Sequence, residues 1–218
     1  MLEGRGLTLM YDLKQDEPTY ALRNVDFTLR PGEMVGVVGP SGSGKSSLLH
    51  VLSGLVKPTS GTVFLENRDM ESLPEKERAK RRLESFGFVF QRHFLIHYMT
   101  VWENVLVPLN RTDHDAAQRA SKLLDALDMG ALRGRRPPNL SGGQCQRVAI
   151  ARALVHNPRY ILADEPTASL DRAAANEVMK LLKERSGEAG VLLVTHDHSI
   201  LEQADRIVQL WDGRVKKG

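Results

Sequence analysis

The chain has 218 residues, with 30 Lys and Arg against 27 Asp and Glu, one cysteine and 6% aromatic residues. This length can bury one sizeable core and favours one domain, and a net charge of +3 over so many mixed charges is an ordinary surface, so no nucleic-acid partner is expected. No run approaches the about 20 apolar residues of a membrane span, Glu3 and Arg5 stand where a signal peptide needs an apolar core, and a lone Cys145 leaves no internal disulfide, so a soluble protein of a reducing cytosol is expected.

Leu7 to Tyr11 alternates as a strand does, and Val25 to Leu29 repeats the pattern after a polar loop through Gln15-Asp16-Glu17-Pro18. Tyr11 and Tyr20 each offer a flat ring to a base, and each equally suits packing at a strand end. Met34 to Val38 reads as a short buried strand, and Ser47 to Leu52 opens a helix. Between them lies Gly39-Pro40-Ser41-Gly42-Ser43-Gly44-Lys45-Ser46, the GxxxxGKS spacing of a phosphate-binding loop in the strand-to-helix setting that the motif requires. Glycines let successive backbone N–H groups close around a polyphosphate at the positive end of the next helix. Lys45 adds a charge for the β- and γ-phosphates, Ser46 a hydroxyl for a bridging Mg²⁺, and Ser47 belongs with the same nucleotide-binding set.

Gly61 to Leu65 is the next strand, followed by a charged helix from Glu71 to Glu84 whose Arg78, Lys80, Arg81 and Arg82 read as a solvated face. Phe86 to Phe90 is apolar throughout, as in a buried parallel strand, and Gln91 lies just past its carboxyl end, the edge where open α/β sheets bind ligands. Residues from about 93 to 139 form a mostly helical interlude, an inserted helical subdomain in which Phe94 to Met99 is either core or docking surface. After Arg135 to Leu140 breaks the pattern, Ser141-Gly142-Gly143-Gln144 opens a new helix, with Ser141 as its N-cap. Its first N–H groups make a second anion-binding terminus, although a capped helix with a glycine hinge has the same sequence.

Tyr160 to Asp164 is a buried strand ending in two acids, Asp164 to hold Mg²⁺ through water and Glu165 to polarise the attacking water. Val191 to Thr195 is a further strand with His196 at its carboxyl edge. The run His196-Asp197-His198 lacks further ligands at zinc spacing. Ile207 to Leu210, a turn at Asp212-Gly213 and Arg214-Val215 close the sheet with a hairpin.

The ordered set of phosphate loop, Gln91, LSGGQ at Leu140 to Gln144, ILADE at Ile161 to Glu165, Ser169-Leu170-Asp171 and His196 resembles the nucleotide-binding subunit of an ABC transporter over nearly the whole chain. The resemblance implies one ABC ATPase domain over residues 1–218. Its fold would be an α/β P-loop core of mostly parallel sheet, with an antiparallel β subdomain and a helical subdomain inserted at about 93–140. It also implies a head-to-tail homodimer with each MgATP held between the phosphate loop of one copy and Ser141 to Gln144 of the other. In those terms Gln91 contacts Mg²⁺ and the water, His196 the γ-phosphate, Tyr11 the adenine, and Asp171 a loop that communicates across the dimer.

Gly87 to Gln91, Glu103-Asn104-Val105 and Val107-Pro108-Leu109 look like the branch of lipoprotein-releasing and macrolide-exporting ATPases. That likeness implies transmembrane permease subunits as partners, met by Arg92 to Met99, and a place on the cytoplasmic face of the inner membrane. Cys145 departs from the long polar residue common in relatives, so activity with some sensitivity to thiol reagents is expected. The chain ends soon after Arg214, and no regulatory domain is expected after it. The ATP site would look the same in an ABC ATPase that regulates cell-wall or division machinery. A soluble ABC ATPase clamping nucleic acid would differ in carrying coiled-coil insertions or a second ATP domain.

Overall fold

The computed structural model describes residues 1–11, 19–109 and 114–216, and of His198 and Ser199 the backbone only. The polar loop read at Gln15 to Pro18 lies outside the described residues. In chain order the strands are β1 (Leu2–Tyr11), β2 (Thr19–Leu29), β3 (Met34–Val38), β4 (Ser60–Leu65), β5 (Arg68–Asp69), β6 (Phe86–Val89), β7 (Tyr160–Asp164), β8 (Gly190–Val194), β9 (Arg206–Trp211) and β10 (Arg214–Val215). The helices are α1 (Lys45–Leu52), α2 (Glu75–Ser85), α3 (Val101–Leu106), α4 (His114–Ala126), α5 (Gly142–Leu154), α6 (Arg172–Arg185) and α7 (His198–Leu201), with 3-10 turns at Gly130–Leu132 and Pro137–Asn139.

Every residue of β3, β7 and β8 is buried, because these strands lie inside a six-stranded sheet covered on both faces. The order is β10-β9-β3-β8-β7-β6, parallel except for the β9–β10 hairpin at one edge. Alternation divides the side chains between two cores. Ile161, Ala163, Val191 and Leu193 face a helical layer containing Val105 of α3, Leu124 of α4, Ile150 of α5 and Val178 of α6. Leu162, Leu192, Val194, Val35 and Val37 face Leu48, Leu49, Val51 and Leu52 of α1. Beyond α1 lies the antiparallel sheet β2-β1-β4-β5, which supplies Leu2, Leu22, Phe27 and Val63 to the same core. The first helix is therefore clamped between two sheets, which fixes the direction in which its N-terminus points.

Three expectations need correction, and one helix was not expected. The helix expected from Glu71 begins at Glu75, after Pro74, whose ring and missing N–H exclude a helix interior; Glu71 instead pairs with Lys57 and Arg78. Residues 93–100 are not helical, and Phe94 to Met99 is divided: Leu95 is core while Phe94 and Tyr98 are 63% and 75% exposed. Helix α6 was not foreseen, although Asp171 caps it by accepting the Ala174 N–H at 3.0 Å. The basic side chains of α2 do not form the solvated face expected: Lys80 is exposed, but Arg78, Arg81 and Arg82 are half-buried, with Arg78 and Arg82 bonded to Glu75 and Arg82 donating to the Gly54 carbonyl at 3.0 Å.

The non-helical segment is held by one buried amide. Asn104 of α3 is fully buried; its Oδ1 accepts the Ile96 N–H at 2.8 Å and its Nδ2 donates to the carbonyls of Ile96, Met99 and Thr100. Replacing it with leucine strands these backbone groups away from water. We expect N104L to cost about 2–4 kcal/mol and to lower Tm by roughly 5–15 °C in a thermal melt; an unchanged Tm would remove Asn104 from this role.

Candidate functional site

Because β3, β8, β7 and β6 are parallel neighbours, their carboxyl ends open side by side. Past β3 comes the phosphate loop, past β8 His196, past β7 Asp164 and Glu165, and past β6 Gln91. These groups line one cleft of about 540 Å³, floored by Gly39, Ser41, Gly42, Gly44, Lys45, Ser46 and Ser47 and walled by Tyr11, Thr19, Tyr20 and Ala21.

Two glycines of the loop have no room for a side chain. Gly44 has φ 98°, and a Cβ there would lie 2.1 Å from the Ala21 carbonyl oxygen; at Gly39 it would lie 2.0 Å from that of Leu210. Lys45 Nζ donates to the Gly39 and Pro40 carbonyls, at 2.8 Å each, so the ammonium lies across the mouth of the loop. Pro40 and Ser43 fall outside the cleft. Pro40 faces an adjoining hollow of about 310 Å³ with His196 and Trp211, and Ser43 is buried, its carbonyl accepting the Gly213 N–H at 3.1 Å.

Asp164 is buried, and burial pushes its carboxyl above the ordinary range, partly offset by a hydrogen bond from Ser46. Glu165 follows with φ 50° and its N–H on the Val194 carbonyl at 2.8 Å, which turns its side chain toward the end of β8. There Oε1 accepts the His196 N–H at 3.1 Å and lies 2.8 Å from His196 Nδ1, while Oε2 accepts the Thr195 hydroxyl at 3.1 Å. Of the two tyrosines, Tyr20 has one ring face covered by the Arg23 guanidinium at 4.2 Å, whereas Tyr11 is 45% exposed.

Ser141, Gly142, Gly143 and Gln144 do not reach this cleft. They line a separate hollow of about 490 Å³ with Asp128, Arg147, Ser169, Leu170 and Asp171. Ser141 and Gln144 form a reciprocal capping box, which aims the N-terminus of the 13-residue α5 into that hollow. Cys145 points the other way, half-buried with Sγ 3.8 Å from the Pro137 carbonyl oxygen, and burial pushes its thiol up, which opposes reaction with thiol reagents near neutral pH.

A third hollow, about 400 Å³ and mostly apolar, lies behind Gln91 among Leu83, Phe88, Phe90, Phe94, Val107 and Arg152. Arg152 donates to the carbonyls of His93 and Phe94 at 2.7 Å each and so fixes one rim. Thr195, Asn104, Gln146 and Arg152 were not singled out in the sequence as site or scaffold residues. Thr195, Gln146 and Arg152 reach Glu165, Pro166 and His93, each twenty or more residues away, and Asn104 ties backbone groups four to eight residues before it, so no motif marks them.

The profile of the family described as "ABC transporter" matches residues 22–168. The lipoprotein-releasing system ATP-binding protein LolD of Anaeromyxobacter dehalogenans is 46% identical over 203 residues, 90% of this chain and 85% of that protein. The macrolide export ATP-binding/permease protein MacB of Agrobacterium fabrum is 44% identical over 204 residues, 92% of this chain but 32% of that longer protein. The dimeric post-hydrolysis structure of the ATP-binding cassette MJ0796 with ADP and Pi superposes with a TM-score of 0.93 at 39% identity, covering 100% of this chain and 97% of that one. The phosphate loop, the acids ending β7 and the capped LSGGQ helix are thus found in a chain that belongs to the ABC transporter family as an ATP-binding and ATP-hydrolysing cassette.

Proposed function

We propose that this cassette works as a head-to-tail homodimer that powers transmembrane permease subunits, in the branch of lipoprotein-releasing and macrolide-exporting systems. One observation carries the reading: the two phosphate-seeking helix termini of a single chain open on different hollows, Gly44 to Ser47 on one and Ser141 to Gln144 on the other. A nucleotide that needs both must lie between two copies. The dimeric state of MJ0796 and the names of the LolD and MacB relatives support the same reading.

In this arrangement ATP lies in the cleft with its adenine on Tyr11 and its phosphates in the loop of Gly39 to Ser47, and Ser141 to Gln144 of the second copy complete the site. The polyphosphate competes with the Gly39 and Pro40 carbonyls for the Lys45 ammonium. Ser46, Gln91 and Asp164 fit Mg²⁺, since all offer oxygen and one carboxylate beside phosphates is the small donor set that this hard cation takes. Bound there, Mg²⁺ would neutralise charge on the phosphates. Glu165 orients and polarises the attacking water, and His196 meets the γ-phosphate.

Within a single domain spanning 1–218, the helices between 93 and 140 act as the inserted subdomain. The apolar groove behind Gln91, with exposed Phe94 and Val107 on its rim, takes the permease. Among the described residues no helix is long and apolar enough to cross a membrane. The proposed location is therefore peripheral, on the cytoplasmic face of the inner membrane beside that partner.

Glu165→Gln keeps the shape and removes the carboxylate. Turnover should fall at least about a hundredfold with ATP still bound, and an ATP-dependent dimer should accumulate on size exclusion; normal turnover would exclude Glu165 from the chemistry. Lys45→Ala should weaken ATP binding roughly tenfold or more in titration calorimetry, and unchanged affinity would contradict the loop assignment. With ATP, the E165Q protein should capture a polytopic membrane protein from detergent-solubilised membranes. Capture of nucleic acid or ribosomes alone would overturn the transporter reading and leave the ATPase standing.

A further inference from the structure

We propose that Thr195 is the positioning residue that holds the Glu165 carboxylate in place for its work on the attacking water. The inference rests on the reading of Glu165 given above and extends it to a side chain that does not line the nucleotide cleft.

Three donors hold the carboxylate, and they differ in how firmly they are fixed. The His196 imidazole lies 2.8 Å from Oε1, but its side chain is 78% exposed and faces the cleft. A side chain so exposed is free to turn toward a phosphate in the cleft, so the ring is the least fixed of the three. The other two donors are built into the end of β8. The His196 backbone N–H stays on Oε1 at 3.1 Å, and the Thr195 hydroxyl stays on Oε2 at 3.1 Å.

Thr195 is suited to this by burial and by its own partner. It is 0% exposed, and its Oγ1 accepts the Asp197 N–H at 3.1 Å, which leaves its single proton for Glu165. One fixed donor on each oxygen sets both the position and the rotation of the carboxylate plane. Without the hydroxyl, Oε2 loses its donor and the group is free to pivot about Oε1. The backbone of Glu165 does not compensate, since its φ of 50° is a conformation that a side-chain-bearing residue adopts only when its surroundings impose it.

A threonine that served only to fasten the turn after β8 would act through the Asp197 N–H alone, and steady-state kinetics of the full chain separates the two roles. Thr195→Val keeps the shape and removes the hydroxyl; Thr195→Ser keeps the hydroxyl. We expect kcat for ATP in T195V to fall roughly tenfold to a hundredfold, with ATP affinity within about twofold of the parent. T195S should recover most of the loss, and T195V should add nothing to the residual rate of E165Q.

Normal kcat in T195V, ATP affinity lost in step with kcat, failure of T195S to rescue, or a further fall in the double variant would each overturn the proposal. The two readings fail separately. An E165Q protein that hydrolyses normally removes Glu165 and Thr195 together, whereas an inactive E165Q beside a fully active T195V removes Thr195 alone.

Discussion

The constraint on which the rest of the structure depends is the parallel order β3-β8-β7-β6. Hydrogen-bonded parallel neighbours about 4.8 Å apart bring residues 39–47, 91, 164–165 and 195–196, scattered over most of the sequence, to one edge. The order also explains why these strands are so apolar. A parallel sheet must be covered on both faces, so the side chains of β3, β7 and β8 are apolar up to the carboxyl end, apart from the phenol of Tyr160 at the start of β7. Polarity begins where the sheet stops, with Asp164 as the last residue of β7 and Thr195 as the first beyond β8.

Burying α1 between two sheets has an electrostatic consequence. Its partial positive charge is aimed at the loop of Gly39 to Gly44 by packing that involves Leu48, Leu49, Val51 and Leu52, none of which touches the cleft. The same principle is used once more by α5, whose capping box leaves the helix start facing the second hollow. A chain with two such termini facing different hollows has a reason to pair with itself.

What was legible in the sequence was chemistry carried by neighbours in the chain. The phosphate loop, the acids at Asp164-Glu165 and the cap at Ser141 announce themselves because a few consecutive residues do the whole job. Thr195 and Arg152 were not legible, because each is defined by a contact with a distant segment: Thr195 with Glu165 thirty residues earlier, Arg152 with His93 and Phe94 nearly sixty earlier. Asn104 was not legible because its partners, at residues 96, 99 and 100, are backbone groups that no side chain announces. The start of α2 was legible in principle, since Pro74 forbids an earlier one, but the run of charges from Glu71 onward reads as one helix. Helix α6 was overlooked although Asp171 and the spacing of Val178, Met179 and Leu182 announce it. Phe94 to Met99 could not be decided from composition, because Leu95 is core and Phe94 is surface within two residues.

The groove, the cleft and the LSGGQ hollow are joined by short, stiff paths. Phe90 lines the groove and Gln91, the next residue, lines the cleft, so a displacement of one carries the other through the covalent chain. Helix α5 gives a second path. Its N-terminus faces the LSGGQ hollow, and about 15 Å further along the helix Arg152 grips the carbonyls of His93 and Phe94 on the groove's rim. Near its start, the buried Gln146 donates to the Pro166 carbonyl at 2.9 Å, one residue beyond Glu165. Burial disfavours the charged form of Arg152, so releasing its two carbonyl contacts without replacement would leave a desolvated guanidinium short of partners. The groove rim therefore moves with α5 more readily than against it. In the proposed dimer, a nucleotide phosphate that draws in the N-terminus of that helix would act on the groove, and on the loop after Glu165, through one rigid body.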